Sequence, residues 1–299
     1  MKVISIVPRG YCKGVVNAIN IAKQTRQNYP QQDIYILGML VHNKYVIEAL
    51  AKLNIQTLDD TNKSRLELLD EINDGIVIFS AHGVSDQVYQ KALAKGLTIV
   101  DATCIDVKKI HDLIKEYIND DYAIIYIGIN KHPEAEGVLG ISANIHLITS
   151  LNDISKLTLS NPKILITNQT TMSINDIQDM LNELKRYYPT AVIMEETCQA
   201  TRVRQEAITK LGLVDLIYIV GDPKSNNTKN LAKLAFKHAH KVCLIENVTQ
   251  IDHNDLFDEA IVAVTSGAST PTKLTDQVID YLENYHNDEP FPMISKDIL

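Results

Sequence analysis

The chain opens on an apolar, β-type run, Val3-Ile4-Ser5-Ile6-Val7, and runs of that kind recur along its whole length: 33–40 (DIYILGML), 55–58, 75–80, 97–100 (LTIV), 122–127, 145–148, 163–167, 191–194 (AVIM), 215–220, 241–245 and 260–265. Between them the apolar period lengthens. After residue 104 it places Ile110, Leu113, Ile114 and Tyr117 at i, i+3, i+4 and i+7, and after residue 198 Val203, Ala207, Ile208 and Leu211 fall similarly, so both stretches predict helices. A further helix is expected across 64–73. Strands alternating with helices imply parallel sheets in an α/β fold.

Three of the strand-to-helix junctions carry a cysteine. Cys12, Cys104 and Cys198 each follow a short apolar run and a turn and precede a helical stretch, 92 and 94 residues apart. A period of that kind marks one supersecondary plan used three times. At the mouth of a helix each sulfur lies near unpaired N–H groups and the positive end of the helix dipole, which attract an anionic sulfur and suit it to be a ligand or a nucleophile.

Polar strand ends keep the same register. His42, His132 and Ser225 lie 30, 28 and 27 residues beyond their cysteines, and His82, Thr170 and Ser269 lie 70, 66 and 71 beyond them. These are C-terminal strand ends, where open α/β sheets place ligands. The expectation is three similar small α/β units about a pseudo-threefold axis, with the three sulfurs meeting among hydroxyl, amide and imidazole groups. Cys243 lies inside a strand run without a counterpart, so it is expected as a buried core cysteine. His111, His146, His238, His240, His253 and His286 fit no repeat position and are read as structural or solvated.

At 299 residues, 45% apolar and 22% charged, the chain can bury a large core and has length for two or three domains. A net charge of −8 and the lack of a basic patch with interleaved aromatics argue against nucleic acid. No apolar run approaches the roughly 20 residues of a membrane helix. The first strand begins without a charged and apolar leader, and four cysteines in a chain of this kind point to ligands rather than disulfides, so a cytoplasmic protein is expected.

Three thiolates fit a catalytic zinc with an open position, or an iron-sulfur cube with one iron left for water or substrate. No Cys-x-x-Cys pair occurs, so the fold must assemble the ligands. The surrounding donors Ser225, Asn226, Asn227, Thr170, Ser269, His42 and His82 at helix starts suit an anion such as a diphosphate. No Gly-x-x-x-x-Gly-Lys loop is present to hold a nucleoside triphosphate. Glu134, two residues after His132, is the carboxylate placed beside these donors and the candidate proton source. Taken singly, the serines are plain helix caps, the histidines surface or capping residues and Glu134 a first-turn carboxylate; the shared register sets them apart.

Together the segments Arg9-Gly10-Tyr11-Cys12-Lys13-Gly14-Val15, Val41-His42-Asn43, Ser80-Ala81-His82-Gly83-Val84-Ser85, Asp101-Ala102-Thr103-Cys104, His132-Pro133-Glu134-Ala135-Glu136-Gly137, Gln169-Thr170-Thr171, Thr197-Cys198-Gln199-Ala200-Thr201, Ser225-Asn226-Asn227-Thr228 and Gly267-Ala268-Ser269-Thr270-Pro271 closely resemble the LytB/IspH family, in its order and spacing, from about residue 1 to 285. The resemblance implies a trefoil of three parallel-sheet α/β domains around one 4Fe-4S cluster held by Cys12, Cys104 and Cys198. It favours cuts near the cysteines: 13–104, 105–197 and 198–285, with 1–12 joining the third domain and 286–299 as a C-terminal tail. Which sheet owns the strand before each cysteine is left open.

The implied reaction is reductive dehydroxylation of 4-hydroxy-3-methylbut-2-enyl diphosphate to isopentenyl and dimethylallyl diphosphate, the last step of the non-mevalonate pathway. Reduced ferredoxin or flavodoxin would be the electron donor. By position, His42, His82, His132, Thr170, Ser225, Asn226, Asn227 and Ser269 are implied substrate contacts and Glu134 the proton donor. The family often has Ser-Ser-Asn where this chain has Ser225-Asn226-Asn227; the amide can still donate to phosphate. A non-redox iron-sulfur hydro-lyase, a three-cysteine zinc hydrolase and a non-enzymatic iron-sulfur sensor are the rival readings.

Overall fold

In the computed structural model, which describes residues 1–286 and 290–299, the apolar runs become twelve strands among the described residues: β1 (Lys2–Ser5), β2 (Ile34–Leu37), β3 (Ile55–Leu58), β4 (Ile76–Phe79), β5 (Thr98–Asp101), β6 (Ala123–Ile127), β7 (Ile145–Ile148), β8 (Ile164–Asn168), β9 (Val192–Ile193), β10 (Val214–Val220), β11 (Ala239–Ile245) and β12 (Ile261–Ser266). They form three four-stranded sheets, ordered β3-β2-β4-β5, β7-β6-β8-β9 and β11-β10-β12-β1, and every pairing is parallel.

The three orders are one order repeated. In each sheet the second strand of the list leads outward to one edge, the chain crosses back to the strand on its other side, and the last edge is the strand that precedes a cysteine. The strand before Cys104 therefore belongs to the sheet of β4, and the strand before Cys198 to the sheet of β8. The strand before Cys12 pairs in register with β12, Lys2 opposite Ile261 through Ser5 opposite Val264.

Central strands apolar at every position are covered on both faces. Ile76 to Phe79 and Ala123 to Ile127 are buried throughout. In the third sheet Leu216, Tyr218 and Val220 pack into one apolar cluster, while Ile217 and Ile219 pack into another. The helices are α1 (Lys13–Asn28), α2 (Lys44–Ala51), α3 (Arg65–Leu68), α4 (Asp86–Ala94), α5 (Ile105–Asn119), α6 (Pro133–Leu139), α7 (Leu151–Ile154), α8 (Ile174–Tyr187), α9 (Gln199–Thr209), α10 (Asn226–Ala235) and α11 (Thr272–Glu283). The helix expected across 64–73 is shorter: Ser64 caps α3 through a capping box with Glu67, and the chain then tightens into a 3-10 turn, Leu69–Glu71, which buries Leu69 before β4 begins.

Two compact units are formed. One comprises Met1–Val16, Val41–Lys52 and Gln199–Leu299 and contains the third sheet; the other comprises Asn17–Leu40 and Leu53–Cys198 and contains the first two sheets. Within the latter, Arg65 and Glu136 tie the first sheet's α3 to α6. The Arg65 backbone N–H donates to Glu136 Oε1 at 3.1 Å and its Nη1 to Oε2 at 3.0 Å. Gly38 has φ +76°, and a Cβ there would lie 3.1 Å from Arg65 Nη2.

In the other unit, the expected tail 286–299 is partly packed; its residues 287–289 lie outside the described residues. Phe291 stands 4.8 Å from His253 and 5.2 Å from Tyr281 between ring centres, and Tyr11 OH donates to the Ile298 carbonyl at 3.1 Å. Cys243, expected as a core residue, is only half-buried on β11, its Sγ 3.9 Å from Asp255, because its strand is the sheet edge. Among the described residues no helix is long and apolar enough to cross a membrane.

Arg65 is only 5% exposed, so removing its partner leaves a buried charge unpaired. Glu136→Ala should cost about 2 kcal/mol, below the full range for buried pairs because the Glu136 side chain reaches solvent. A lower urea midpoint at unchanged slope would show it.

Candidate active site

Each cysteine is fixed by the same backbone bond. The edge strand delivers the cysteine beside the loop of the neighbouring strand, and the cysteine N–H donates to that loop's carbonyl: Cys12 to Ala268 at 3.0 Å, Cys104 to Ala81 at 3.0 Å and Cys198 to Thr170 at 3.1 Å. The accepting residue is the one before Ser269, the one before His82 and Thr170 itself. A helix begins immediately after each cysteine, and the Cys12 and Cys104 carbonyls accept its first bonds, from Val16 and Lys108, both at 3.0 Å. None of the three is in a disulfide, and all three are half-buried.

In the unit of the first two sheets, the loops after β6 and β8 meet. His132 caps α6, and its Nδ1 accepts the Glu134 N–H at 3.1 Å, which puts the proton of a neutral ring on Nε2. Pro133 at the first helical position has no N–H to satisfy. Glu134 is 1% exposed. Its Oε1 accepts the Thr170 N–H at 2.8 Å, its Oε2 accepts the Thr170 hydroxyl at 2.8 Å, and Tyr126 OH lies 3.4 Å from Oε1.

Desolvation raises the Glu134 carboxyl to about 7 against the opposing pull of the Thr170 and Tyr126 donors, with Asp106 adding a smaller upward push. The result is a carboxylic acid that exchanges its proton near neutrality. The His82 ring stands edge-on to the His132 ring, centres 5.7 Å apart, and its Nδ1 is 3.3 Å from Ser80 Oγ. His82, His132, Glu134 and Thr170 thus form one cluster.

In the unit of the third sheet, the loops after β10 and β12 meet in the same way. Ser225 caps α10, its Oγ accepting the Thr228 N–H at 3.4 Å. Ser269 Oγ donates to the His42 carbonyl at 2.9 Å and lies 3.5 Å from Ser225 Oγ. Asn226 is buried beside them. Asn227 is 4% exposed, yet neither its Oδ1 nor its Nδ2 has a hydrogen-bond partner, and Thr228 Oγ1 lacks one too. Buried amides without partners are costly. At the start of a ten-residue helix they suit a bound anion.

Cys12 belongs to this second cluster's unit, Cys104 and Cys198 to the other. Among the described residues no group of three or more His, Cys, Asp or Glu side chains is gathered as a metal site. The donor set itself, three thiols outside any disulfide on three equivalent loops, fits a thiolate-held inorganic group.

Sequence reasoning missed three supporting side chains. Tyr126 reads as an ordinary core residue, although a hydroxyl in an otherwise apolar strand eight residues before Glu134 is a signal. Arg204 donates to the Gly10 carbonyl at 2.7 Å, and Ser266 Oγ accepts the Gly10 N–H at 2.7 Å, so both brace the loop that leads to Cys12. Arg204 shares a helix face with Ala200 and Ile208, a charge within an apolar stripe.

Fold and clusters define a three-sheet α/β protein with a buried neutral-range acid in one unit and, in the other, a helix start with an unpartnered buried amide. Residues 3–283 match the family described as LytB protein, and the chain belongs to that family. It is 48% identical over 294 residues to 4-hydroxy-3-methylbut-2-enyl diphosphate reductase of Geobacillus sp. (strain WCH70), covering 97% of this chain and 93% of that protein. It is 49% identical over 295 residues to the protein of the same name from Bacillus cytotoxicus, again with 97% and 93% covered. The solved structure of E-1-hydroxy-2-methyl-but-2-enyl-4-diphosphate reductase from Plasmodium falciparum is similar with a TM-score of 0.87 at 30% identity, covering 98% of this chain and 95% of that one.

The Glu134 carboxyl gives stability a recognisable pH dependence. Its value is about 7 folded against 4.5 for a free glutamate. Folding therefore takes up a proton between those values: the contribution is complete below 4.5 and fades as pH rises to about 7, by up to about 3 kcal/mol. Urea unfolding of wild type and Glu134→Gln across that window should show the slope in the first and its loss in the second.

Proposed function

We propose that this chain reduces 4-hydroxy-3-methylbut-2-enyl diphosphate to isopentenyl and dimethylallyl diphosphate, with a 4Fe-4S cluster held by Cys12, Cys104 and Cys198. The observation that carries the reading is the buried carboxyl of Glu134, which holds its proton to about pH 7 beside two histidines and a threonine hydroxyl. The named relatives share that activity in their names.

In the reaction the allylic C–O bond breaks, two electrons and two protons enter, one C–H bond forms and water leaves. When bound, the cluster supplies the electrons singly and a Lewis-acidic iron with an open position. The protein's part is positioning and proton delivery. Asn227, with Ser225, Asn226, Ser269 and His42, receives the diphosphate, and the unsatisfied amide of Asn227 becomes a donor to phosphate oxygen.

Glu134 protonates the leaving hydroxyl. Thr170 holds both carboxyl oxygens so that the acid presents one fixed geometry, and His132 and His82 line the approach. A carboxyl with a value near the working pH is both protonated often enough and acidic enough to give its proton up. A reduced ferredoxin or flavodoxin would deliver the electrons, and a reducing cytoplasm would keep the three thiols out of disulfides.

Purified without oxygen, the protein should carry about four iron and four sulfide per chain. Serine in place of Cys12, Cys104 or Cys198 should remove most of both; zinc instead of iron, or full iron in all three variants, would overturn the ligation. Glu134→Gln should cut turnover by about 10²–10⁴-fold with iron content and substrate affinity retained. Substantial turnover in that variant would take Glu134 out of the role, and product formation without consumption of reductant would point to a hydro-lyase.

A further inference from the structure

His111 fits no repeat position in the sequence, yet it stands where three elements of one unit meet. It lies on α5, two turns beyond Cys104, with its Cε1–Nε2 edge turned toward Gly83 and Gly137. A Cβ at Gly83 would be 3.3 Å from His111 Cε1; a Cβ at Gly137 would be 3.3 Å from Cε1 and 3.4 Å from Nε2. The same point on Gly137 would be 3.6 Å from the Gly83 carbonyl carbon, so the two backbones nearly touch beside the ring.

Gly83 directly follows His82. Gly137 lies on α6, one turn beyond Glu134 and five residues after His132. Across the same gap the His82 and His132 rings meet edge to face. Gly83 has φ +76° and needs glycine for its backbone alone. Gly137 is in ordinary helix, where alanine is favoured by propensity, so what stands closest against a side chain there is the imidazole, with the Gly83 backbone in ordinary contact behind it.

His111 Nε2 is buried without a hydrogen-bond partner, and desolvation holds the ring's pKa down. An uncharged planar ring is thin enough to enter between two close backbones, and it does so at the expense of that unpaired nitrogen.

We propose that His111 is a positioning residue for the reaction assigned above: wedged between Gly83 and Gly137, its ring sets the separation between the loop of His82 and the helix that carries His132 and Glu134. The inference rests on that functional reading. A few tenths of an ångström at the wedge are passed to the two histidines and to the acid through short, well-tied backbone, and catalytic geometry is sensitive on that scale.

Gly137→Ala tests the wedge by crowding it, His111→Ala by removing it, and the double variant by making room for the added methyl. Each is assayed for kcat and KM with a chemical reductant and for thermal midpoint. Gly137→Ala should keep or raise the midpoint while kcat falls by about 10-fold or more and KM stays within about 3-fold. His111→Ala should lower kcat similarly, and the double variant should recover at least about 3-fold of the loss caused by Gly137→Ala.

Wild-type kcat in Gly137→Ala would overturn the proposal, even if His111→Ala proved unable to fold. So would losses in both single variants that simply add in the double. Glu134→Gln in parallel separates the two failures: an inactive Glu134→Gln beside fully active wedge variants sinks the wedge alone, while an active Glu134→Gln sinks the functional reading beneath it.

Discussion

One backbone hydrogen bond, made three times, governs where the chemistry of this protein can sit. In each sheet the last edge strand delivers a cysteine whose N–H is taken by the loop of the strand beside it, at Ala268, Ala81 and Thr170. At Cys104 that bond extends the parallel ladder by one step beyond the Ala102 N–H to Phe79 carbonyl bond, while at Cys12 and Cys198 it closes a longer loop after the ladder has ended. The sulfur is held at the carboxyl edge of its sheet, next to the loop that carries Ser269, His82 or Thr170, and the following residues turn into a helix. A parallel sheet covered on both faces leaves only its ends for polar groups, so the cysteine and its neighbouring donors are confined to the same place by the burial that stabilises the sheet.

At Glu134 two opposing effects are balanced. Burial by itself would make the carboxyl a permanent acid, and three donors by themselves would make it a permanent anion. Thr170 supplies two of those donors, one from its backbone and one from its hydroxyl, while also accepting the Cys198 N–H at its carbonyl. A single loop residue therefore fixes the acid and a cysteine together. Desolvation wins by a margin that leaves the group near neutrality, where proton transfer is efficient in either direction.

Much of this was legible in the sequence because it depends on period and spacing. Ile55 to Leu58 and Ile145 to Ile148 form strands with the expected bounds, and others differ by one to three residues at their ends, the run 33–40 stopping as a strand at Leu37. The matched spacing found the loops of His82, Thr170 and Ser269 before any coordinates. It could not assign the strand before each cysteine, because moving every cut by one strand leaves the period unchanged; the pairings of β5 with β4, β9 with β8 and β1 with β12 decide that. Side chains that act across the chain were also beyond it. Arg65 and Glu136 are 71 residues apart, and Arg204 reaches Gly10 over 194. Tyr126 and His111 were hidden for another reason: a tyrosine in a strand and a histidine on a helix have ordinary structural uses, and what separates them from those uses is the neighbour, not the residue.

The repeats share a backbone and divide the chemistry by side chain. At the two loop positions beside the crossover, the first sheet places His42 and His82, the second His132 and Thr170, the third Ser225 and Ser269. In the third, both positions are neutral hydroxyls, the nearby Asp222 carboxylate is tied to the Lys44 and Lys224 N–H groups, and the helix start behind them holds an unpartnered Asn227, a donor set suited to a negative charge. The second carries the acid, and it is there that a titrating group is surrounded by fixed donors and kept from water. Placing both functions on one loop would set them against each other, since a doubly charged phosphate beside Glu134 would raise the carboxyl further and hold its proton too tightly to give. Repetition of one fold offers the same local geometry more than once, and under the proposed function the anion and the proton would be handled by different copies of it.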